Sequence, residues 1–148
     1  MKIALCGSMI SYQRMEEIKD KLEEIGHMVT MPKFSDIELK RLSEGETLED
    51  LEGESAQSKI ENDFIRYFYG KIGEAEGVLV INIPQKGIDG YVGGNTFLEM
   101  GFAHVLNKQL WTLYDFSKDL TYSDEIIAMQ PVVLDGDLSL IREEAVIS

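Results

Sequence analysis

Residues 77–83, with the sequence GVLVINI, constrain the fold more than any other part of the chain. The segment shows no alternation of apolar and polar residues, so an extended backbone here is apolar on both faces. Strands of this kind lie in the middle of parallel sheets, where helices cover both faces. The segment therefore predicts a layered α/β protein with this strand near the centre of the sheet.

The rest of the chain alternates between strand patterns and helix patterns. Short apolar runs predict four further strands, at residues 2–6, 27–31, 110–113 and 132–134. Helical spacing of apolar residues and helix start and stop signals predict the segments between them as helices, over residues 8–25 or 11–25, 36–51, 58–72, 96–106, 123–129 and 138–146. The segment 36–51 is polar, and an ordered excursion is the alternative there.

This alternation of strands and helices through short loops is typical of a parallel sheet with right-handed crossovers. We expect one domain over residues 1–148, an α/β three-layer α/β/α sandwich with a five-stranded parallel sheet, flavodoxin- or Rossmann-like. Such a chain buries roughly 70% of its unfolded surface, so it needs no disulfide or structural metal. Ligands of these folds bind outside the carboxyl ends of the strands, which selects the loops at 7–9, 32–34 and 82–95.

Charge and composition exclude several classes of function. The net charge of −13 argues against a nucleic acid polymer as partner, because phosphate binding needs clustered cations. No apolar stretch has the length of a membrane span, and the single cysteine, Cys6, favours a cytoplasmic protein and a structural thiol. Acidic residues are concentrated in 36–63, where a solvated face is expected and metal binding is the alternative; the calcium-loop spacing is missing, so no metal site is predicted.

The most informative segment is residues 90–103, GYVGGNTFLEMGFA. We expect Gly93 and Gly94 to adopt left-handed backbone angles and to let a ligand approach. Thr96 and Glu99 have the spacing of a capping box, in which Glu99 binds a free N–H at the helix start. The alternative is a carboxylate in the first turn, at the ligand edge, kept ionised by the helix dipole as a glycosyl nucleophile requires.

Four segments resemble the nucleoside 2-deoxyribosyltransferase-like family: KIALCGSM at 2–9, AEGVLVIN at 75–82, GGNTFLEMGFAHVLNK at 93–108 and EIIAMQP at 125–131. The resemblance implies an enzyme without cofactor that cleaves or transfers the N-glycosidic bond of a nucleoside or nucleotide, with Glu99 as nucleophile. It also implies that the turn at Gly7 and Ser8 lies at the sugar or at a 5′-phosphate. Finally, it implies a homo-oligomer, a dimer or larger, in which Met129 reaches a neighbouring subunit's site.

Two acidic positions of the family differ in this sequence. The transferases carry an aspartate that assists the leaving base, and the corresponding residue here is Phe68. Asp63 is the nearest acid on the same predicted helix, so it is our candidate for that role. A second acidic residue before the nucleophile is replaced by Gly93 and Gly94.

The candidate substrate contacts lie in the loops that the sheet topology selects and in the late Ala-Met segment. They are Gly7, Ser8, Met9, Asn82, Tyr91, Gly93, Gly94, Asn95 and Met129. Structural roles are the alternatives for three of them: a strand-end turn residue, a loop anchor and a helix cap for Asn82, Tyr91 and Asn95. Arg14 and Lys33 are cations near the same edge that either meet a phosphate or are solvated.

Three functions therefore stay open from the sequence. The first is cleavage or transfer at the N-glycosidic bond of a nucleoside through a glycosyl ester of Glu99. The second is hydrolysis of a nucleoside 5′-monophosphate on the same scaffold. The third is a non-catalytic nucleotide-binding or signalling module.

Overall fold

A computed structural model describes residues 1–32 and 63–142 of the chain. Lys33, the predicted helix at 36–51 and most of the acidic segment lie outside the described residues. One domain over the whole chain stays a prediction. Within the described ranges, no helix combines the length and the apolar character needed to cross a bilayer.

The described residues form the predicted five-stranded sheet, and all its strands are parallel. The strands are β1 (Lys2–Cys6), β2 (Met28–Thr30), β3 (Gly77–Val80), β4 (Gln109–Thr112) and β5 (Val132–Val133). Their order across the sheet is β2-β1-β3-β4-β5. Every residue of β3 is buried, as the apolar sequence of this strand predicts for the central position.

Helices cover both faces of this sheet. They are α1 (Tyr12–Glu24), α2 (Phe64–Glu74), α3 (Gly94–Val105) and α4 (Ser123–Met129). One face packs against α1, with Ile3, Leu5 and Leu79 beneath Met15 and Ile18. The opposite face carries Ala4, Cys6, Val78 and Val80 beneath side chains of α2, α3 and α4. Alternate residues of β1 and β3 thus enter separate cores, and the three-layer sandwich is confirmed.

Several predicted boundaries differ from the observed ones. Asp63 has a left-handed backbone, with φ of 48°, and caps α2. A helix that runs through this position from residue 58 is therefore wrong, because left-handed angles interrupt an α-helix. The prediction for 138–146 is wrong over its described part, where a short 3₁₀ helix, Leu138–Leu140, is followed by extended Ile141. β1 has its predicted bounds and β4 begins and ends one residue earlier than predicted, whereas β2, β3 and β5 are one to three residues shorter.

Candidate active site

The helix that carries Glu99 begins earlier than the sequence predicts. Gly93 is the N-cap of α3, and its backbone is extended. Because α3 begins at Gly94, Thr96 is its third residue and Glu99 its sixth. The capping-box interpretation and the placement of Glu99 in the first turn are both wrong, and no acidic side chain lies in that first turn.

Glu99 is buried at the carboxyl edge of the sheet, with 7% of its surface exposed. Its second-turn position directs the side chain toward the sheet, where β1 ends at Cys6. Asn95 lies one turn earlier on α3, and its Nδ2 donates to Oε1 of Glu99 over 3.2 Å. The Asn95 amide of α3 and the Cys6 thiol at the end of β1 therefore both lie near the Glu99 carboxylate.

The surroundings of Cys6 shift the pKa of its thiol strongly. Burial raises the pKa of the fully buried thiol well above its ordinary value, and both the charge of Glu99 and a hydrogen bond to Glu99 act in the same direction. The thiol therefore keeps its proton at neutral pH, and it serves as a donor to the carboxylate. A protonated thiol is a poor nucleophile, which agrees with the structural role expected for Cys6.

We expect the protonated Cys6 to make the folded state lose stability at alkaline pH. The unfolded thiol ionises near pH 9.0 whereas the folded one keeps its proton, so above that pH the unfolded state binds fewer protons and unfolding becomes easier. Urea midpoints measured from about pH 8 to just below pH 10 should therefore fall with pH, and Cys6→Ala should flatten this slope. Tyr122, whose pKa is raised from 10.0 by burial and by Tyr91, adds a smaller loss toward the upper end of that interval, and this part remains in Cys6→Ala.

Val78→Ala is the matched control for this slope. Val78 is buried in the same apolar cluster as Cys6, so its truncation makes a comparable cavity without removing a titrating group. The control should lower the midpoint at every pH and leave the slope unchanged. An equal slope in wild type and Cys6→Ala would contradict the burial of a protonated thiol.

In the glycine-rich loop before α3, the residues with left-handed backbone angles are not the predicted ones. Gly93 is extended, with φ of −78°, and Gly94 is the first helical residue of α3, whereas the positive φ angles of this loop belong to Lys86, Gly87 and Gly90. The Tyr91 ring packs against Gly93, where an added Cβ would lie 3.4 Å from its Cε1. Tyr91 therefore has the contacts of a loop anchor.

The turn after β1 is joined to the loop after β3. Ser8 Oγ donates to Oε1 of Gln85 over 2.7 Å. A Cβ on Gly7 would lie 3.1 Å from the carbonyl oxygen of Ile81, so only glycine fits this close approach without a shift. Met9 opens a 3₁₀ helix, Met9–Ser11, that leads into α1. These contacts fix the predicted Gly7–Met9 turn at the carboxyl edge, next to the end of β3.

The Asn82 amide contacts the backbone of Tyr114. Its Oδ1 accepts from the Tyr114 backbone N–H over 2.9 Å, and its Nδ2 donates to the Tyr114 carbonyl over 2.7 Å. The residue is 1% exposed. Since both ends of the amide are occupied by backbone groups, Asn82 joins the segments after β3 and β4, as the turn-residue alternative expects.

Asp63 and Met129 have partners within the chain. The Asp63 carboxylate accepts from the Arg66 backbone N–H over 3.4 Å and pairs with the Arg66 guanidinium over 3.1 Å, so it caps α2. The Met129 methyl group lies 4.0 Å from where a Cβ would stand on Gly101, in the cluster beside α3. Base assistance by Asp63 and a contribution of Met129 to another subunit stay predictions.

An open cleft of about 530 Å³ lies at the same edge, on the side of the sheet that α1 covers. Its lining consists of Arg14, Ile83, Pro84, Asp89, Gly90, Tyr114 and Asp115. Arg14 donates to the Tyr114 hydroxyl over 3.2 Å, and Asp115 pairs with Lys118 over 3.0 Å. Glu99 lies on the other side of the sheet. A ligand that occupies the cleft and also contacts Glu99 would therefore cross the carboxyl ends of β1 and β3.

Two features of this edge are not among the site residues predicted from the sequence. Tyr114 and Asp115 follow β4, and the preference of ligands for the carboxyl ends of strands selects this loop as readily as the three that were chosen. The proximity of Cys6 to Glu99 was also predictable, because Cys6 is the last residue of β1 and so lies at the predicted ligand edge. No group of three or more metal-ligating side chains is found within residues 1–32 and 63–142.

Comparisons with known proteins give remote similarity among solved structures. No family model matches the chain, and no curated protein matches it. Among solved structures, the chain is similar to the Clostridium botulinum CMP N-glycosidase BcmB, with 17% sequence identity, a TM-score of 0.45, and 90% of this chain and 85% of that chain covered. The fold described above rests on the chain's own strand pairing, and the site on its own contacts.

Proposed function

We propose that this protein cleaves or transfers at the N-glycosidic bond of a small-molecule nucleoside, with Glu99 as the nucleophile. The observation that carries the proposal is the buried Glu99 carboxylate at the carboxyl edge of the sheet, beside two neutral donors. Asn95 and Cys6 orient the carboxylate without neutralising it. Such a carboxylate suits attack on an electron-poor carbon better than it suits a purely structural ion pair.

The reaction is a double displacement at the anomeric carbon. A Glu99 oxygen forms a bond to C1′ of the sugar, while the bond from C1′ to the base nitrogen breaks and its electron pair leaves with the base. The glycosyl ester is then opened by attack of water or of a second base on C1′, which returns the carboxylate. Two displacements retain the configuration at C1′.

The leaving base must gain a proton during or after the first displacement. Asp63 is the candidate from the sequence. It caps the start of α2, the end of the helix that is remote from the amino end of β3. Its carboxylate is engaged by the Arg66 guanidinium and by the Arg66 backbone N–H, and it must leave both contacts to reach a base. We therefore expect Asp63 to matter less than Glu99.

A nucleoside 5′-monophosphate is the second candidate substrate, and Arg14 is the observation that favours it. Its guanidinium lines the cleft and is held by the Tyr114 hydroxyl. The same lining contains two carboxylates, Asp89 and Asp115, which repel a phosphate. The balance of charge favours the uncharged nucleoside.

The test is a panel of ribonucleosides, 2′-deoxyribonucleosides and their 5′-monophosphates, each incubated with and without an acceptor base. Chromatography of the products separates the outcomes. Free base without acceptor indicates hydrolysis, base exchange indicates transfer, and a requirement for the monophosphate indicates the second candidate. If wild type and Glu99→Ala are equally inactive on the whole panel while a nucleotide still binds, the proposal is wrong and the protein is a binding module.

The assembly state stays part of this proposal. We expect a homo-oligomer whose pocket is completed by Met129 of a second copy, as the sequence resemblance implies. Small-angle scattering of the purified chain measures this directly. A monomer with full activity would contradict it.

A further inference from the structure

We infer that Asn95 and Cys6 are positioning residues that hold the Glu99 carboxylate in the orientation for attack. The inference rests on the proposed function and deepens it, because neither residue needs to touch the substrate. It gives Asn95 a role other than the helix cap or sugar contact expected from the sequence, and it gives Cys6, expected to be a structural thiol, a part in the site.

Asn95 has the geometry of a positioning residue and not that of a cap. The N-cap of α3 is Gly93, and no side chain caps the helix there. Asn95 lies inside the first turn, four residues before Glu99, a spacing that places both side chains on one face of the helix. Its amide donates to Oε1 over 3.2 Å. The bond therefore fixes one carboxylate oxygen relative to the helix that carries it.

Cys6 restrains the same carboxylate from a different element. It is the last residue of β1 and is fully buried on the α3 side of the sheet. The charge of Glu99 and hydrogen bonding to it both raise the pKa of the Cys6 thiol, after burial itself, so the protonated thiol faces the carboxylate. Because β1 is a fixed part of the sheet, this contact ties the carboxylate to the sheet, whereas Asn95 ties it to α3. Two restraints from two elements limit rotation of the side chain more than either one does.

The chemistry of the two donors suits a nucleophile. An amide and a thiol are neutral, and a thiol is a weak donor, so neither competes strongly for the electrons that must attack C1′. A lysine or arginine at either position would form an ion pair with the carboxylate and hold its electrons more strongly. The carboxylate is thus oriented while its oxygens stay reactive.

Kinetics of four variants test the role in catalysis. Cys6→Ala and Asn95→Ala should each lower kcat by about 10- to 100-fold, with KM changed much less, because misplacement of a reacting group acts on the chemical step. Cys6→Ser supplies a hydroxyl donor at the same place and should restore most of kcat. Val78→Ala, the cavity control in the same cluster, should lower stability and leave kcat near wild type.

The Asn95 variant separates positioning from structure. Asn95 is exposed on the surface of α3, and alanine favours helix more than asparagine does, so Asn95→Ala should unfold at the same urea concentration as wild type or higher. A lower kcat at undiminished stability is then a positioning effect. If Asn95→Ala and Cys6→Ala both keep wild-type kcat on an active enzyme, the inference is overturned.

Infrared and NMR spectra test the contacts without any activity. The chain has one cysteine, so its S–H stretching band belongs to Cys6 alone. In Glu99→Ala this band should move to higher frequency and the side-chain amide signal of Asn95 should move as well, because both lose their acceptor. Unchanged band and signal would overturn the inference. If the S–H band and the Asn95 signal both shift but the protein acts on none of the nucleosides, the contacts are confirmed and only the proposed function is wrong.

Discussion

Glu99→Gln should abolish turnover while the protein stays folded. The amide has nearly the shape of the carboxylate and still offers Oε1 to the Asn95 amide, but its neutral oxygen is a poor nucleophile. Removal of a nucleophile from a preorganised site costs on the order of 10⁴-fold or more in kcat. We expect a loss of this size in the rate of base release from the substrate identified on the panel, measured by chromatography, with an unchanged circular dichroism spectrum.

Mass spectrometry identifies the nucleophile independently of the rate. Wild-type protein quenched in acid during turnover should carry one added glycosyl group on the peptide that contains Glu99, and Glu99→Gln should carry none. Glu16→Gln is the matched control, since it removes the same charge from an exposed position of α1 and should keep full activity. A glycosyl group on another residue, or wild-type rates in Glu99→Gln, would refute the assignment.

The fold was predictable because its signals are local. The apolar run of β3 requires a central parallel strand, and helical spacing of Met15, Ile18 and Leu22 requires a helix with one buried face. Boundaries were less predictable, since they depend on contacts from elsewhere. Strand ends depend on the neighbouring strand: β5 pairs with β4 through only two residues, Val132 and Val133, although the apolar run continues to residue 134.

The site was predictable only in part, and the helix start of α3 shows why. The Thr96 and Glu99 spacing is a genuine capping signature, but Gly93 and Gly94 let the helix begin two residues earlier. That shift places Glu99 in the second turn, where it is buried near Cys6, instead of in the predicted first turn. The contact between Arg14 and Tyr114 spans 100 residues of sequence and is created by the fold, so no local pattern reveals it.

Gly90→Ala should destabilise the protein more than any other glycine substitution in the loop before α3. Gly90 has φ of +66°, and an added Cβ would lie 2.0 Å from the carbonyl oxygen of Asp115. Backbone cannot yield as a flexible side chain does, so the loop must move away from β4. Strain of left-handed angles plus overpacking amounts to about 2–5 kcal/mol in the free energy of unfolding, measured by urea denaturation at neutral pH.

Gly87→Ala separates the two causes of this loss. Gly87 has a similar φ of +72°, but a Cβ there would meet no described atom within 4 Å. Its substitution should therefore cost only the conformational strain, about 1–2 kcal/mol. Gly90 also lines the cleft, so Gly90→Ala should weaken binding of any ligand that occupies it, whereas Gly87→Ala should not. Equal losses of stability in the two variants would mean that the close approach to Asp115 contributes nothing, and that strain alone requires glycine in this loop.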